Sequence, residues 1–74
     1  MQYTNTHSHA YQVIVKGEPE ENTIANVFYF DGQQQRHSIG QCTDESKGIE
    51  YAERYLTRKG ITNATIYIQW GGMK

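Results

Sequence analysis

The imidazole and thiol groups of this 74-residue chain that could ligate a metal belong to three histidines and a single cysteine. His7 and His9 alternate, as two residues on one side of a strand do. Two imidazoles do not complete a tetrahedral site, and the other candidates, His37 and Cys42, lie far along the chain. We therefore expect no metal site, and nothing in the sequence calls for a cofactor.

A nucleophile and its base could be formed by Cys42 and His37. Both fall near the end of one predicted strand, and a lone cysteine before a helix is more often a small packing residue. Glu50 and Glu53 are three residues apart, but Glu50 with Arg54 is better explained as a surface ion pair. The sequence has no Gly-rich phosphate loop and no nucleophile elbow. We predict that the protein is not an enzyme.

Length and composition limit the class of protein. Seventy-four residues predict a single domain over 1–74, with flexible ends at 1–9 and 71–74. One cysteine excludes an internal disulfide and favours a cytoplasmic location, the host cytoplasm if the chain is phage-encoded. No apolar run is long enough to span a bilayer, and the N-terminus does not resemble a signal peptide. A formal charge of -1 predicts no general attraction to phosphate.

Two runs of alternating residues meet at Asp31-Gly32, which is a strong signal for a two-residue hairpin. The flanking runs predict strands over 23–30 and 33–41. A type I′ turn at this point would set Phe30 opposite Gln33. The register of this hairpin decides which face of each strand is buried.

A helix is predicted to follow, with Thr43 as its N-cap and Gly60 as its left-handed C-cap. Ile61 and Leu56 then occupy the two positions of the usual hydrophobic contact at such a cap. Gly48 lies inside the helix, where a close approach to the sheet would explain a residue of low helix propensity. The buried stripe of the helix is predicted to comprise Ile49, Ala52, Tyr55 and Leu56.

Two further strands, over 10–16 and 63–70, complete a two-layer α+β domain of the order βββαβ. Short connections predict an antiparallel meander of the first three strands. The last strand, parallel to the first, is placed beside it at the sheet edge, so that a mostly antiparallel four-stranded sheet has the order 4-1-2-3. One helix covers one face. The predicted core is Val13, Val15, Ile24, Phe28, Phe30, Ile39, Ile49, Ala52, Leu56, Ile66 and Ile68.

The second face of the sheet has no element left to cover it, and an uncovered apolar face usually marks a partner site. Aromatic and arginine side chains are typical anchors of protein interfaces, and the only tryptophan lies on the last strand. We therefore predict a partner-binding surface, which would also serve a symmetric dimer, formed by Ile14, Val27, Tyr29, Arg36, Tyr67 and Trp70.

The loop Gly17–Asn22 contains three carboxylates. One interpretation is a solvated loop that keeps the chain in solution, and the other is an acidic patch for a basic partner. The sequence leaves both open.

The order of three antiparallel strands and a helix, over Tyr11 to Gly60, resembles the double-stranded RNA-binding domain and the arm-binding domain of phage integrases. Those families place basic residues at the start of the helix or on the sheet. Here the helix opens Thr43-Asp44-Glu45-Ser46, with Lys47 as the only cation. Nucleic-acid binding through the uncovered sheet face is the alternative function. In that case Tyr29, Tyr67, Arg36 and Lys16 would stack on bases and contact phosphates.

The outline of a very short, mildly acidic α+β domain without catalytic motifs is similar to that of anti-CRISPR proteins, which phages make against host machinery. This similarity implies inhibition by surface contact. The function we expect is accordingly a non-catalytic protein-binding module, such as an inhibitor of this kind encoded by a phage or another mobile element.

Overall fold

The computed structural model describes residues 3–7 and 11–73, which form one five-stranded sheet and one helix. The helix packs on one side of the sheet, so the predicted α+β class is confirmed. The elements in chain order are β1 (Tyr3–His7), β2 (Gln12–Lys16), β3 (Thr23–Phe30), β4 (Arg36–Cys42), α1 (Glu45–Lys59) and β5 (Thr65–Met73).

The strand order is β1-β2-β5-β3-β4, so the predicted order and the antiparallel meander are wrong. Strand β5 is parallel to β2, as expected, but it inserts between β2 and β3 and pairs antiparallel with β3. The connection from Gly17 to Asn22 is long enough to pass this intervening strand. A central position also buries Ile66 and Ile68 completely, which an edge position would not.

The N-terminal strand β1 was not indicated by the sequence pattern. Its backbone pairs antiparallel with β2, with Tyr3 opposite Lys16 and His7 opposite Gln12. An edge strand needs only backbone partners on one side, so a polar sequence without apolar alternation can still form one. At the other end of the chain β5 continues to Met73. Residues 3–7 and 71–73, predicted to be flexible, are therefore part of the sheet.

The β3–β4 hairpin has a longer loop than the predicted two-residue turn. Its three loop residues, 32–34, lie between Asp31 and Gln35, whose backbone N–H and carbonyl oxygen are 3.0 Å apart. Gln34 takes the left-handed conformation, with φ of 64°. The Asp31 carboxylate explains the difference, because one of its oxygens accepts the N–H groups of Gln33 and Gln35 at 2.8 and 3.0 Å.

This loop changes the register of the whole hairpin. Phe30 pairs with Arg36, and not with Gln33. A change by an odd number of residues exchanges the two faces of β4 relative to β3. Arg36 consequently lies on the same side of the sheet as Phe28 and Phe30.

The core between sheet and helix uses the opposite face of β3 from the one predicted. Ala25, Val27 and Tyr29 are buried there, whereas Ile24, Phe28 and Phe30 lie outside this cluster. Of the other predicted core residues, Ile39 and Ile49 are only partly buried. The core comprises Tyr11, Val13, Val15, Ala25, Val27, Tyr29, Ala52, Leu56, Ile66, Ile68 and Trp70.

Helix α1 ends as predicted and begins one residue later than predicted. Gly60 is in the left-handed conformation, and the Ile61 N–H donates to the Leu56 carbonyl oxygen at 2.9 Å. The N-cap is Asp44, and Thr43 precedes it. No helix in residues 3–7 and 11–73 has the length and apolar character needed to cross a membrane.

Gly48 marks the closest approach of α1 to the sheet. It is buried, and a Cβ atom at this position would lie 2.5 Å from the Cys42 Sγ. Real Cβ contacts are not this short, so the interior glycine lets the helix approach the end of β4. The explanation suggested by the sequence is confirmed.

Candidate functional site

The side of the sheet that faces away from α1 is the candidate binding surface, and we call it the open face. Alternation along each strand and the pairing registers define its members. Along each strand, these residues alternate with the core residues and point to the opposite side of the sheet. Those with described side chains include Ile14, Lys16, Asn26, Phe28, Phe30, Arg36, Ser38, Tyr67 and Gln69.

The structure divides the six predicted binding residues equally. Ile14, Arg36 and Tyr67 lie on the open face. The remaining three, Val27, Tyr29 and Trp70, are core residues with exposed fractions of 1%, 5% and 7%. The hairpin register turns the first two towards the helix, and the insertion of β5 between two strands removes the third from the sheet edge.

Four side chains on four neighbouring strands stack across the open face. In spatial order they are Lys16 of β2, Tyr67 of β5, Phe28 of β3 and Arg36 of β4. The two rings stack with centroids 5.3 Å apart and planes 5° apart. The Lys16 Nζ lies 5.4 Å from the Tyr67 ring centre, and the Arg36 Cζ lies 4.2 Å from the Phe28 ring centre. We call this set the cation–aromatic ladder.

Phe30 completes the ladder by packing edge-on against both rings. Its centroid is 6.0 Å from that of Phe28 and 5.1 Å from that of Tyr67, with interplanar angles of 69° and 66°. As a result Phe28 is only 5% exposed, although no secondary-structure element covers it. Sequence reasoning placed Lys16 on this surface but missed Phe28 and Phe30, which it assigned to the core.

The two stacked rings of the ladder stand upright on the open face. Neighbouring strands are about 4.8 Å apart, so two parallel rings on adjacent strands must stand upright on the sheet to stack. Each flat ring face is then occupied by the other ring or by a cation. The exposed part of the half-buried Tyr67 ring is then its edge, which carries the positive end of the aromatic quadrupole.

The charge of the open face differs in sign from that of the whole chain. None of the five strands contains Asp or Glu. In the part of the chain that the structure describes, neither Lys16 nor Arg36 forms an ion pair. The rest of the chain has five cations against eight acidic residues. The open face is therefore a cationic surface on a protein of net negative charge.

A second groove, of about 680 Å³, lies beside α1 and not on the open face. Several of its polar groups already have partners. Arg54 donates to Glu50 at 2.8 Å, which confirms the predicted surface pair, and the Tyr11 hydroxyl donates to the Ile61 carbonyl oxygen. The groove on the open face is smaller, about 280 Å³, and the ladder residues line it together with Phe30 and Gln69. We favour the latter site because its two cations have no anionic partner.

Cys42 and His37 are not brought together as a nucleophile and a base. They are five residues apart on one strand, on the order of 17 Å. Burial raises the pKa of the Cys42 thiol, which disfavours the thiolate. His37 stacks on Tyr29 with ring centroids 4.8 Å apart, and its Nε2 lies 2.8 Å from an oxygen of Asp31.

Among the described residues, no three histidine, cysteine, aspartate or glutamate side chains lie close enough together to hold a metal ion. His9 lies outside the described residues, and only the backbone of His7 is described.

No protein-family model matches the chain, and neither a curated protein nor a solved structure is significantly similar to it. Function must therefore be argued from the site itself.

Proposed function

We propose that this protein is a non-catalytic binding module whose open face contacts a protein partner. The observation that carries the proposal is the cation–aromatic ladder. It supplies aromatic rings and an arginine, which are the residue types enriched in the cores of protein interfaces. Its stacking contacts hold these side chains in place before binding, which lowers the entropy lost on association.

The geometry supports a protein partner more than a stack of bases. A base needs a free flat ring, and both flat faces of the Phe28 and Tyr67 rings are occupied. Ring edges and the ends of two cations can instead meet the irregular polar surface of a folded protein. Exposed polar residues, including Ser38 and Gln69, surround the ladder as a hydrophilic rim does.

Two forms of this function follow from the size of the chain. The first is inhibition of a larger host assembly by surface contact, the mode of anti-CRISPR proteins, which needs a compact fold and no catalytic residues. The second is a symmetric dimer through the open face, in which one ladder would meet the ladder of a second copy. The second form places two pairs of cations opposite each other, so we rank a different protein first.

Steric blocking tests the proposal without disturbing the ladder. Gln69 and Ser38 are exposed on the open face, and Thr57 is exposed on α1. We would compare Gln69→Tyr and Ser38→Tyr with Thr57→Tyr as a matched control of equal added bulk. A stoichiometric partner captured from host lysate should be lost with the first two variants and retained with the third. Retention by all three variants would contradict the open face as the binding surface.

Nucleic-acid binding is the second candidate, and the cationic charge of the open face is the observation that favours it. Lys16 and Arg36 lie at opposite ends of the ladder, about 14 Å apart at three interstrand spacings, and could contact phosphates. Titration with single- and double-stranded RNA and DNA at low salt tests this function. Micromolar binding that weakens steeply with added salt, and that is lost with Arg36→Gln, would place this candidate first.

A further inference from the structure

We infer that the segment of the partner that contacts the open face is acidic and presents carboxylates to both ends of the cation–aromatic ladder. The inference rests on the proposed function and names the chemistry of its partner. A face with two cations and no acidic residue is complementary to a surface of the opposite sign.

The arginine end of the ladder is suited to a carboxylate. The Arg36 guanidinium lies with its carbon 4.2 Å from the centre of the Phe28 ring, so one flat face is covered. The five N–H donors of a guanidinium lie in its plane, and stacking leaves them available. Arg36 is exposed and forms no hydrogen bond with the described residues, so a carboxylate could accept two parallel N–H bonds from it.

The lysine end of the ladder provides a second point of contact, at a defined distance from Arg36. Lys16 is half-buried with its ammonium over the Tyr67 ring, which restrains the side chain before binding. Carboxylates about 14 Å apart would meet both cations. In an extended partner segment this distance separates residues about four positions apart, which project on the same side of a strand.

A nucleic-acid backbone fits this surface less well than the carboxylate side chains of a peptide. The loop from Glu18 to Glu21 comes directly after Lys16 and has three exposed acidic residues. A nucleic-acid backbone that passes Lys16 would bring its closely spaced phosphates to this negative loop, whereas the flexible carboxylate side chains of a peptide can turn towards the cations. The occupied ring faces also remove the stacking that would compensate for this repulsion.

Nuclear magnetic resonance with simple probes tests the inference on the ¹⁵N-labelled protein. The probes are a ten-residue polyglutamate peptide, a polyglutamine peptide of the same length and a ten-nucleotide thymidine strand. Polyglutamate should shift the Arg36 Nε–H resonance and the backbone amides of Lys16 and Tyr67, and polyglutamine should not. Added salt should weaken the binding because both partners are charged and exposed.

Three variants supply the controls. Arg36→Gln and Lys16→Gln should each weaken polyglutamate binding about tenfold, the loss typical of one charge-assisted hydrogen bond. Arg36→Lys should give an intermediate loss because it keeps the charge but not the planar fork. Arg54→Gln on α1 removes a cation of the opposite side of the molecule and should change nothing. Circular dichroism confirms that each variant is folded.

The outcomes separate this inference from the proposed function. Tighter binding of the thymidine strand at the same residues, no shift with polyglutamate, or an equal loss with Arg54→Gln would overturn the acidic-partner inference. If Gln69→Tyr abolishes capture of the native partner while Arg36→Gln and Lys16→Gln do not, the open face is the binding surface and its partner is not acidic. If Gln69→Tyr leaves capture intact, the proposed function itself is wrong.

Discussion

Phe28 and Tyr67 stack face to face on neighbouring strands of the open face, with ring centroids 5.3 Å apart and planes within 5°. This contact joins β3 to β5, the central strand of the sheet. A cation covers the outer face of each ring, and Phe30 packs against both from the side. A small domain with a single helix has thus covered the apolar rings on its second face with its own side chains.

The first prediction concerns the contribution of this cluster to stability. Phe28→Ala should lower the free energy of unfolding by about 3 kcal/mol, because a side chain that is 95% buried loses its packing and its ring contacts. Tyr51→Ala is the control, since this exposed aromatic residue should contribute less than about 0.5 kcal/mol. Urea unfolding measures both values. Equal losses would show that the ladder does not stabilise the sheet.

The second prediction concerns the contact between Gly48 and Cys42. Gly48→Ala should destabilise the protein, although alanine favours an exposed helix by about 1 kcal/mol, because the new Cβ would overlap the cysteine sulfur. The double variant Gly48→Ala, Cys42→Ala removes the overlap and should recover most of the loss. Ser46→Ala, at an exposed position of the same helix, is the control. Thermal denaturation compares the wild type with these three variants. Stabilisation by Gly48→Ala alone would contradict the close approach.

The third prediction concerns the pH dependence of the β3–β4 loop. The hydrogen bond from the Gln35 N–H, followed by that with His37, lowers the pKa of Asp31 from its ordinary value near 3.8. A lowered pKa in the folded state means that the carboxylate stabilises the fold above pH 3.8 and that this contribution is lost as the pH falls through the folded-state pKa. Asp31→Asn should therefore be less stable than the wild type at pH 6, and the difference should shrink below pH 3.8. Denaturant unfolding at several pH values measures it, and a difference that grows on acidification would contradict the assignment.

The fourth prediction concerns the only tryptophan. Trp70 is 7% exposed within one copy of the chain, so its fluorescence should be blue-shifted in the monomer and should not change on dilution. The predicted edge position of the last strand is wrong, because β5 lies between β2 and β3 inside the sheet. Light scattering over the same dilution series reports the oligomeric state independently. A red shift that accompanies dissociation would show that Trp70 is buried by a second copy.

Much of the fold could be predicted because its signals are local. The Gly60 cap, the buried stripe with Ala52 and Leu56, and the parallel direction of β5 all follow from short patterns of residues. The register of the hairpin does not, because it depends on which atoms the Asp31 carboxylate binds. The loop that Asp31 stabilises sets a register in which the buried face of β3 is the opposite of the predicted one. Apolar residues occur on both faces of β3, so alternation alone could not show which face is buried.

Only half of the predicted binding residues lie on the open face, and the hairpin register is again the reason. Arg36 and Tyr67 were assigned to the open face, but the wrong residues of β3 were placed beside them. The signal that could have corrected this is the pairing of an aromatic residue with a cation across strands, since Phe28 stacks with Arg36 only in the observed register. The position of β5 depends on non-local packing, which no short pattern encodes.

The most direct test of the central claim is the footprint of the captured partner on the protein. Amide resonances of the ¹⁵N-labelled chain should shift or broaden most at the open face when the partner is added, with Lys16, Phe30, Arg36, Tyr67 and Gln69 at the centre. Residues on the exposed side of α1, such as Tyr51 and Thr57, should change little. A footprint centred on α1 and its neighbouring groove, with the ladder residues unchanged, would contradict the account.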